Sequence, residues 1–537
     1  VVVFLGVYWL VKQVYQGRAR LPDFLSASIV RLVDGPEPRT TPTRYRQAII
    51  DLGDSPVAEV DPRFLSVAID TSLIVGGHWW SPSGAVEATG RARVSPLDLK
   101  NANLRQLARE LAPAYLRVGG TEADKVFYAV QPDAGTAPGP GEIPLSRECW
   151  EGLLEFVRSS GLELFFTLNA GPGRRDAKRR WKPENAEQLL RYAHTHAQPI
   201  GVIEFGNEIN GYWFSFGVLR QPSGTTVAED LVRLRGLRDR YAPNSLLVAP
   251  GEFFWPRLGS PLAQPLDVLR ELVVKDRGRN LDAITWHYYP QQSRRCPVAT
   301  RRASLTGLLD PAALDEVSRW ANRIRTHRDT VAASLPIWLG ETGGAQCGGE
   351  PGVSDRFASS LWWLDQLSLL ALHAQQVVVR QSLVGSNYGL LDDVTMQPRP
   401  DYYASILHKR LMGTRVLGVR RSPDSDPYLR VYAHCAPQHR GHACVTVLAI
   451  NLHQHESSVL GWPRVTGHGI DVYQVTAASL DSPTALLNGQ PITFDGSSIA
   501  LEPARVRSDG HYTLPPISYT FLTACDLLTG CGGGPRN

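Results

Sequence analysis

The feature that most constrains this chain is an eightfold alternation between Phe64 and about Arg410, in which short β-rich apolar runs are separated by stretches with helical period. The runs are FLSVAID ending at Asp70, AYLRVGG at Gly120, ELFFTLNA at Ala170, GVIEFGNE at Glu208, SLLVAPGE at Glu252, AITWHYY at Tyr289, PIWLGET at Thr342 and VVVRQSLVG at Gly385. Between them, helices are predicted at 97–112, 149–160, 186–197, 228–241 and 355–376. Strand and helix alternating in this way build a parallel sheet covered by helices, and eight such units are the count of a (β/α)8 TIM barrel. An α/β fold of this kind places its chemistry where the strands end, so polar residues at those ends become candidates.

Beyond Gly413 the texture changes to short alternating runs, YLRVYAHC, CVTVLAINLH, DVYQVTAA and ISYTFLTAC, divided by Gly-, Pro-, Ser- and His-rich turns. That pattern suits a C-terminal antiparallel β-sandwich domain. The expected organisation is a signal or anchor and linker over 1–30, a segment at 31–63 that adds to the sandwich, the catalytic barrel at 64–410 and the sandwich at 411–537. A length of 537 residues suits one large and one smaller domain. The formal charge of +4 is too small for a counterion-release nucleic-acid binder, so no nucleic-acid partner is expected.

The opening run VVVFLGVYWLV is apolar and is followed by Lys12, Arg18 and Arg20, which reads as the end of a signal or a membrane anchor. A secreted or membrane-anchored, extracytoplasmic protein is expected, and there the cysteines can oxidise. Their number, seven, leaves at least one unpaired, and Cys149, beside Trp150 on a predicted helix, is expected to be a buried thiol. They show no CxxC spacing or Cys/His cluster, so no metal and no cofactor is expected.

Two motifs put a carboxylate at the end of a predicted barrel strand. EFGNEIN carries Asn207 and Glu208 after the fourth, and WLGETGG carries Glu341 after the seventh. A single Glu in such a place is more often a surface charge or an Arg partner. Two in one eightfold repeat match the pair a retaining glycosidase needs, an acid/base (Glu208) and a nucleophile (Glu341) roughly 5–5.5 Å apart. Asn207 is placed to bond a sugar 2-hydroxyl. In TWHYY, period-two alternation puts His287 and Tyr289 on one face and Trp286 and Tyr288 on the other, and the Tyr289 hydroxyl is expected to bond Glu341 and keep it ionised. Asp70 and Thr121, at the ends of the first two strands, are further candidates for sugar hydroxyls.

Basic residues gather in two strand-end loops: Arg174, Arg175, Lys178, Arg179 and Arg180 after the third strand, and Arg294, Arg295, Arg301 and Arg302 after the sixth. Together they are expected to make an electropositive rim for an acidic polysaccharide. No Gly-rich phosphate loop, HExxH or GxSxG occurs.

From about Asp61 to Cys531 the chain resembles the heparanase family, glycoside hydrolase family 79 of clan A. The likeness rests on FLSVAID, APAYLRVGGT, LNA, EFGNEIN, AITWHYY, WLGETGGA, SDRFASSLWWLDQLSL, VVVRQ, NYGLLD and PDYYASILHKRLMGTRVL. It implies Glu208 as acid/base, Glu341 as nucleophile, and a β-glucuronide subsite lined by Asn207, His287 and Tyr289, with Asp70 and Thr121 on sugar hydroxyls. Tyr388 matches a tyrosine that helps bind the uronic carboxylate. Gln346, Cys347 and Gly348 stand where the family has Tyr-Gly-Gly, and Ser386 replaces a glycine. The resemblance also implies a Cys435–Cys531 disulfide, to which we add Cys444–Cys525 and Cys296–Cys347. Only the Gly/Pro-rich stretch 133–144 occupies the place of the linker excised from the animal enzymes, so a single uncleaved chain is expected.

The expected function is therefore a monomeric retaining β-glucuronidase acting on heparan sulfate-like glycosaminoglycans, endo-acting. The alternatives are an exo-β-glucuronidase or other clan A glycosidase, and a non-catalytic glycan-binding relative. A structural or scaffolding protein has no repeat or interaction stretch in its favour.

Overall fold

The computed structural model describes residues 30–32, 34, 36–40, 46–80, 91–131, 138–139, 141–260, 267–437 and 442–531. The predicted signal or anchor, apart from Val30, and half of the Gly/Pro-rich stretch lie outside them. Among the described residues no helix is long and apolar enough to cross a membrane.

The eight predicted runs form a closed parallel barrel. Its strands in order are Leu65–Asp70, Tyr115–Gly119, Glu163–Leu168, Val202–Phe205, Leu246–Phe254, Ala283–Tyr288, Ile337–Thr342 and Val378–Arg380. The last pairs with the first, Val379 opposite Ser66, which closes the ring. These strands are buried on both faces, by the lumen and by the surrounding helices, so they read as continuous apolar runs. The helix predicted at 97–112 is shorter, Ala102–Arg109, because the Asn101 side chain accepts from the Leu104 N–H at 3.0 Å and starts it there. The helix Arg147–Ser159 turns Trp150 fully inward and leaves Cys149, the unpaired cysteine, half-buried rather than buried.

Apart from two small two-stranded sheets, the remaining strands build an eleven-stranded sheet, antiparallel except where Gln47–Glu59 runs parallel to Ser458–Gly461. Gln47–Glu59 also pairs antiparallel with Arg415–Arg421, so a segment before the barrel completes a domain after it. The sheet encloses its own core of Leu52, Leu417, Val447, Trp462 and Leu522. Two disulfides tie it, Cys435–Cys531 and Cys444–Cys525, the latter between directly opposed residues.

Sheet and barrel meet on the buried barrel helix Phe357–Leu372. Its Asp365 accepts from Arg430 at 2.8 Å and from the Tyr432 hydroxyl at 2.5 Å, and Phe357 stacks on Tyr519. A buried carboxylate with two such donors keeps the domains in register.

Candidate active site

The fourth strand ends in a turn that only certain residues can make. Gly206 has φ +72°, and a Cβ there would stand 2.8 Å from the Tyr212 hydroxyl and 3.0 Å from the Ala170 side chain. Two residues on, Glu208 itself is left-handed at φ 52°, ψ 51°. A non-glycine in that region carries backbone strain, and here the strain turns the carboxyl towards the barrel axis.

Glu208 and Glu341 converge there, with a carboxylate oxygen of each and a ring nitrogen of His287 all within 4.8 Å of one another. Their surroundings differ. The Glu341 carboxylate accepts the Tyr289 hydroxyl on Oε1 at 2.7 Å and the Arg117 guanidinium on Oε2 at 2.8 Å. Among the described residues the Glu208 carboxyl has one hydrogen-bond partner, His287 Nδ1 at 3.2 Å, and burial together with the negative charge of Glu341 raises its pKa well above the ordinary carboxylate range. Burial, then the nearby Arg117 charge, pushes His287 well below its usual value, so the imidazole is neutral. One carboxyl is thus poised to hold a proton while its neighbour is held as an acceptor on both oxygens.

These three groups could each offer an atom to a cation. The Arg117 guanidinium already bonds Glu341 Oε2, however, and its positive charge opposes a second cation at that atom.

Arg117 organises more than Glu341. It donates to Glu204 at 2.9 Å and to the Asn207 side-chain oxygen at 2.8 Å, and the two carboxylates hold its charge firmly in place against full burial. Asn207 Oδ1 also accepts the Gly120 N–H at 3.1 Å, which leaves its amide NH2 to face a ligand. Sequence reasoning missed Arg117 and Glu204. The available signal was a lone opposite charge in the middle of each of two apolar runs, AYLRVGG and GVIEFGNE.

The remaining candidates line one cleft of about 1250 Å³, open solvent at its mouth included. Asp70 accepts the Ser72 N–H and hydroxyl on Oδ1, at 2.9 and 2.7 Å, and burial raises its pKa to about 7. Gly120, at φ +103°, lies so close that a Cβ there would sit 2.1 Å from Asp70 Oδ2. Thr121 and Gln346 line the same cleft. So does Tyr388, stacked on Tyr289 at 6.2 Å. Trp286 and Tyr288 face away into the core, Trp286 Nε1 bonding Gln375.

Gly348 does not reach the cleft lining. Its carbonyl accepts from the Asn387 N–H and the Ser386 hydroxyl, and a Cβ on it would strike Trp80. The Cys296–Cys347 disulfide joins the loops after the sixth and seventh strands, and both of its residues line the cleft. A hairpin of Gly77–Trp80 with Arg91–Val94 adds Trp79, Trp80 and Arg91, the guanidinium lying 4.8 Å from the Trp80 ring.

The expected basic rim is corrected. Arg175 is buried on Asp230, Arg174 pairs with Glu142, Arg180 with Asp176 and Arg294 with Glu350. Arg301 is buried between Glu37 and Glu316, Arg302 bonds the Ser293 carbonyl, Arg179 bonds the Gln221 carbonyl, and exposed Lys178 is away from the cleft lining. Carboxylates and backbone carbonyls outside the cleft take up most of this charge, and among the described residues the Arg and Lys side chains that line the cleft are Arg91 and Arg295.

Acid and acceptor carboxyls at the ends of the fourth and seventh strands of a (β/α)8 barrel, with an Asn before the acid, define a glycoside hydrolase of the clan A architecture. The family model for the glycosyl hydrolase family 79 N-terminal domain matches residues 52–368, and the chain belongs to that family. It is 30% identical to heparanase of Mus musculus over 91% of this chain and 95% of the mouse protein. It is 28% identical to baicalin-β-D-glucuronidase of Scutellaria baicalensis over 88% of this chain and 91% of that one. Among solved structures, 4-O-α-L-rhamnosyl-β-D-glucuronidase of Fusarium oxysporum 12S shares the fold with a TM-score of 0.61 at 16% identity, over 89% of this chain and 100% of that chain.

Proposed function

We propose that this glycoside hydrolase is a retaining β-glucuronidase that cuts within uronic-acid-containing glycans of the heparan sulfate type. The observation that carries the reading is the approach of the two carboxyls to within 4.8 Å, with the Glu208 pKa raised by burial and by the charge of Glu341, while Glu341 accepts hydrogen bonds from Tyr289 and Arg117. That spacing suits direct attack and leaves no room for the water an inverting enzyme holds between its carboxyls. Glu341 attacks the anomeric carbon while Glu208 gives its proton to the departing oxygen, leaving a glycosyl ester on Glu341. The Glu208 carboxylate then takes a proton from water, which attacks the same carbon and frees Glu341. Asn207, Asp70, Thr121 and Tyr388 hold the sugar, and Tyr289 and Arg117 hold the nucleophile. Three disulfides support an extracytoplasmic, exported protein, and a monomer is proposed.

The test is a paired digest of heparan sulfate by wild type and Glu341→Gln, following chain length by size exclusion and free glucuronate by chromatography. Shortened chains with little free glucuronate are expected from wild type, with activity down at least about 10³-fold in the variant. Free glucuronate without shortening would replace endo- by exo-action, the mode suggested by a relative named for baicalin. A first-formed α-anomer, seen by proton NMR, would overturn retention. Equal inertness of both proteins would leave a glycan-binding relative as the reading.

A further inference from the structure

The two walls of the cleft differ in chemistry, and the acid/base says which wall meets the leaving group. Glu208 must reach the glycosidic oxygen, so whatever that oxygen carries lies on its side, against the loop that follows Glu208 and the end of the fifth strand. That wall is aromatic. Phe214 and Trp255 stand edge to face at 6.2 Å, and Phe253 and Trp255 at 5.8 Å. All three line the cleft, as do Pro297 and Val298. The cleft's described cations are elsewhere. Arg295 directs its guanidinium at Asn387 Oδ1, 2.6 Å away, next to Tyr388, and Arg91 lies over Trp80. The nearby Arg257 is buried and paired with Asp34. Residues 81–90, 132–137 and 261–266 contain no Lys or Arg.

We propose that the leaving-group side of this cleft is a stacking platform for an uncharged ring, centred on Trp255 with Phe214 and Phe253, and that the enzyme takes β-glucuronides with an unsulfated sugar or an aromatic alcohol as leaving group in preference to a sulfated one. The proposal rests on the assignment of Glu208 and Glu341 above. The apolar C–H face of a pyranose and the face of an aromatic ring offer the same surface to an indole. A sulfate moved against these rings loses hydration and gains no cation in return.

The experiment compares kcat/KM for wild type, Trp255→Ala and Trp255→Phe on four substrates with one glycone. They are p-nitrophenyl β-glucuronide, unsulfated N-acetylheparosan, N- and O-sulfated heparan, and β-glucuronyl fluoride, whose leaving group has no ring. Wild type is expected to prefer the first two over the sulfated chain. Trp255→Ala should lose about 10-fold or more on them, and less on the fluoride, while Trp255→Phe, which keeps a ring, retains most of the activity. A loss confined to the aryl substrate identifies an aromatic alcohol as the natural leaving group, and one confined to heparosan identifies a sugar. Faster hydrolysis of the sulfated chain, or an equal loss on all four substrates, overturns the platform. Inertness of wild type towards all four overturns the β-glucuronidase reading and the platform with it.

Discussion

Along three strands of the barrel, two layers of the same lumen lie two residues apart. At the N-terminal ends Tyr115, Phe165 and Val202 point inward with Ala68, Val248, Ala283 and Trp338, an apolar plug in which Tyr115 stacks on Trp338 at 5.5 Å. One pleat higher the same faces carry Arg117, Thr167 and Glu204, joined by hydrogen bonds of 2.7–2.9 Å. The boundary is sharp, with the Arg117 guanidinium 5.9 Å from the Phe165 ring. The lower layer needs only volume and shape, which related apolar side chains can also supply. The upper layer needs partners, because the buried charges there are balanced by particular neighbours, Arg117 by both Glu204 and Glu341.

The largest effect that tests this contrast is Arg117→Met. It fills similar volume but leaves Glu204 buried without its cation, so unfolding free energy should fall by about 3–5 kcal/mol in urea titrations. Asn207 and Glu341 lose a donor as well, so kcat should fall together with stability. A variant as stable and active as wild type would put the two layers on one footing.

A smaller effect concerns Glu208. Its folded pKa is raised, so it is a competent acid at low pH and loses that role as pH rises through the raised value. The same shift makes its stability contribution present below the unfolded value of about 4.3 and lost through the raised folded value. The alkaline limb of kcat/KM should therefore lie above the ordinary carboxylate range. In Glu341→Gln the repelling charge is gone, and the Glu208 titration, followed by infrared difference spectroscopy, should move down by roughly one unit or more. An unmoved titration would separate the two carboxyls electrostatically.

The smallest effect is expected in the plug. Trp338→Phe keeps an aromatic ring against Tyr115 and Phe165 and should cost about 1–3 kcal/mol in the same titration, with kcat close to wild type. A collapse of kcat would show that the layers are coupled.

Much of this architecture was legible because it repeats. Apolar runs with strand spacing, broken by helical period, report burial one residue at a time, and eight of them in order define the barrel and its strand ends. Glu208, Glu341 and Tyr289 stand out because they end such runs. The basic loops misled because Arg side chains are long and several of their partners are distant: Arg175 finds Asp230, 55 residues away, and Arg174 finds Glu142, 32 residues away.

The sequence by itself determined the element order, the barrel count, the two strand-end carboxyls and the family, since these follow from local periodicity and from short motifs. Only the tertiary structure decided which charges face the cleft, which are cancelled beneath its rim, and which partners surround each carboxyl. Coulomb forces, hydrogen bonds and desolvation depend on a few ångströms through space, and distance along the chain does not report them.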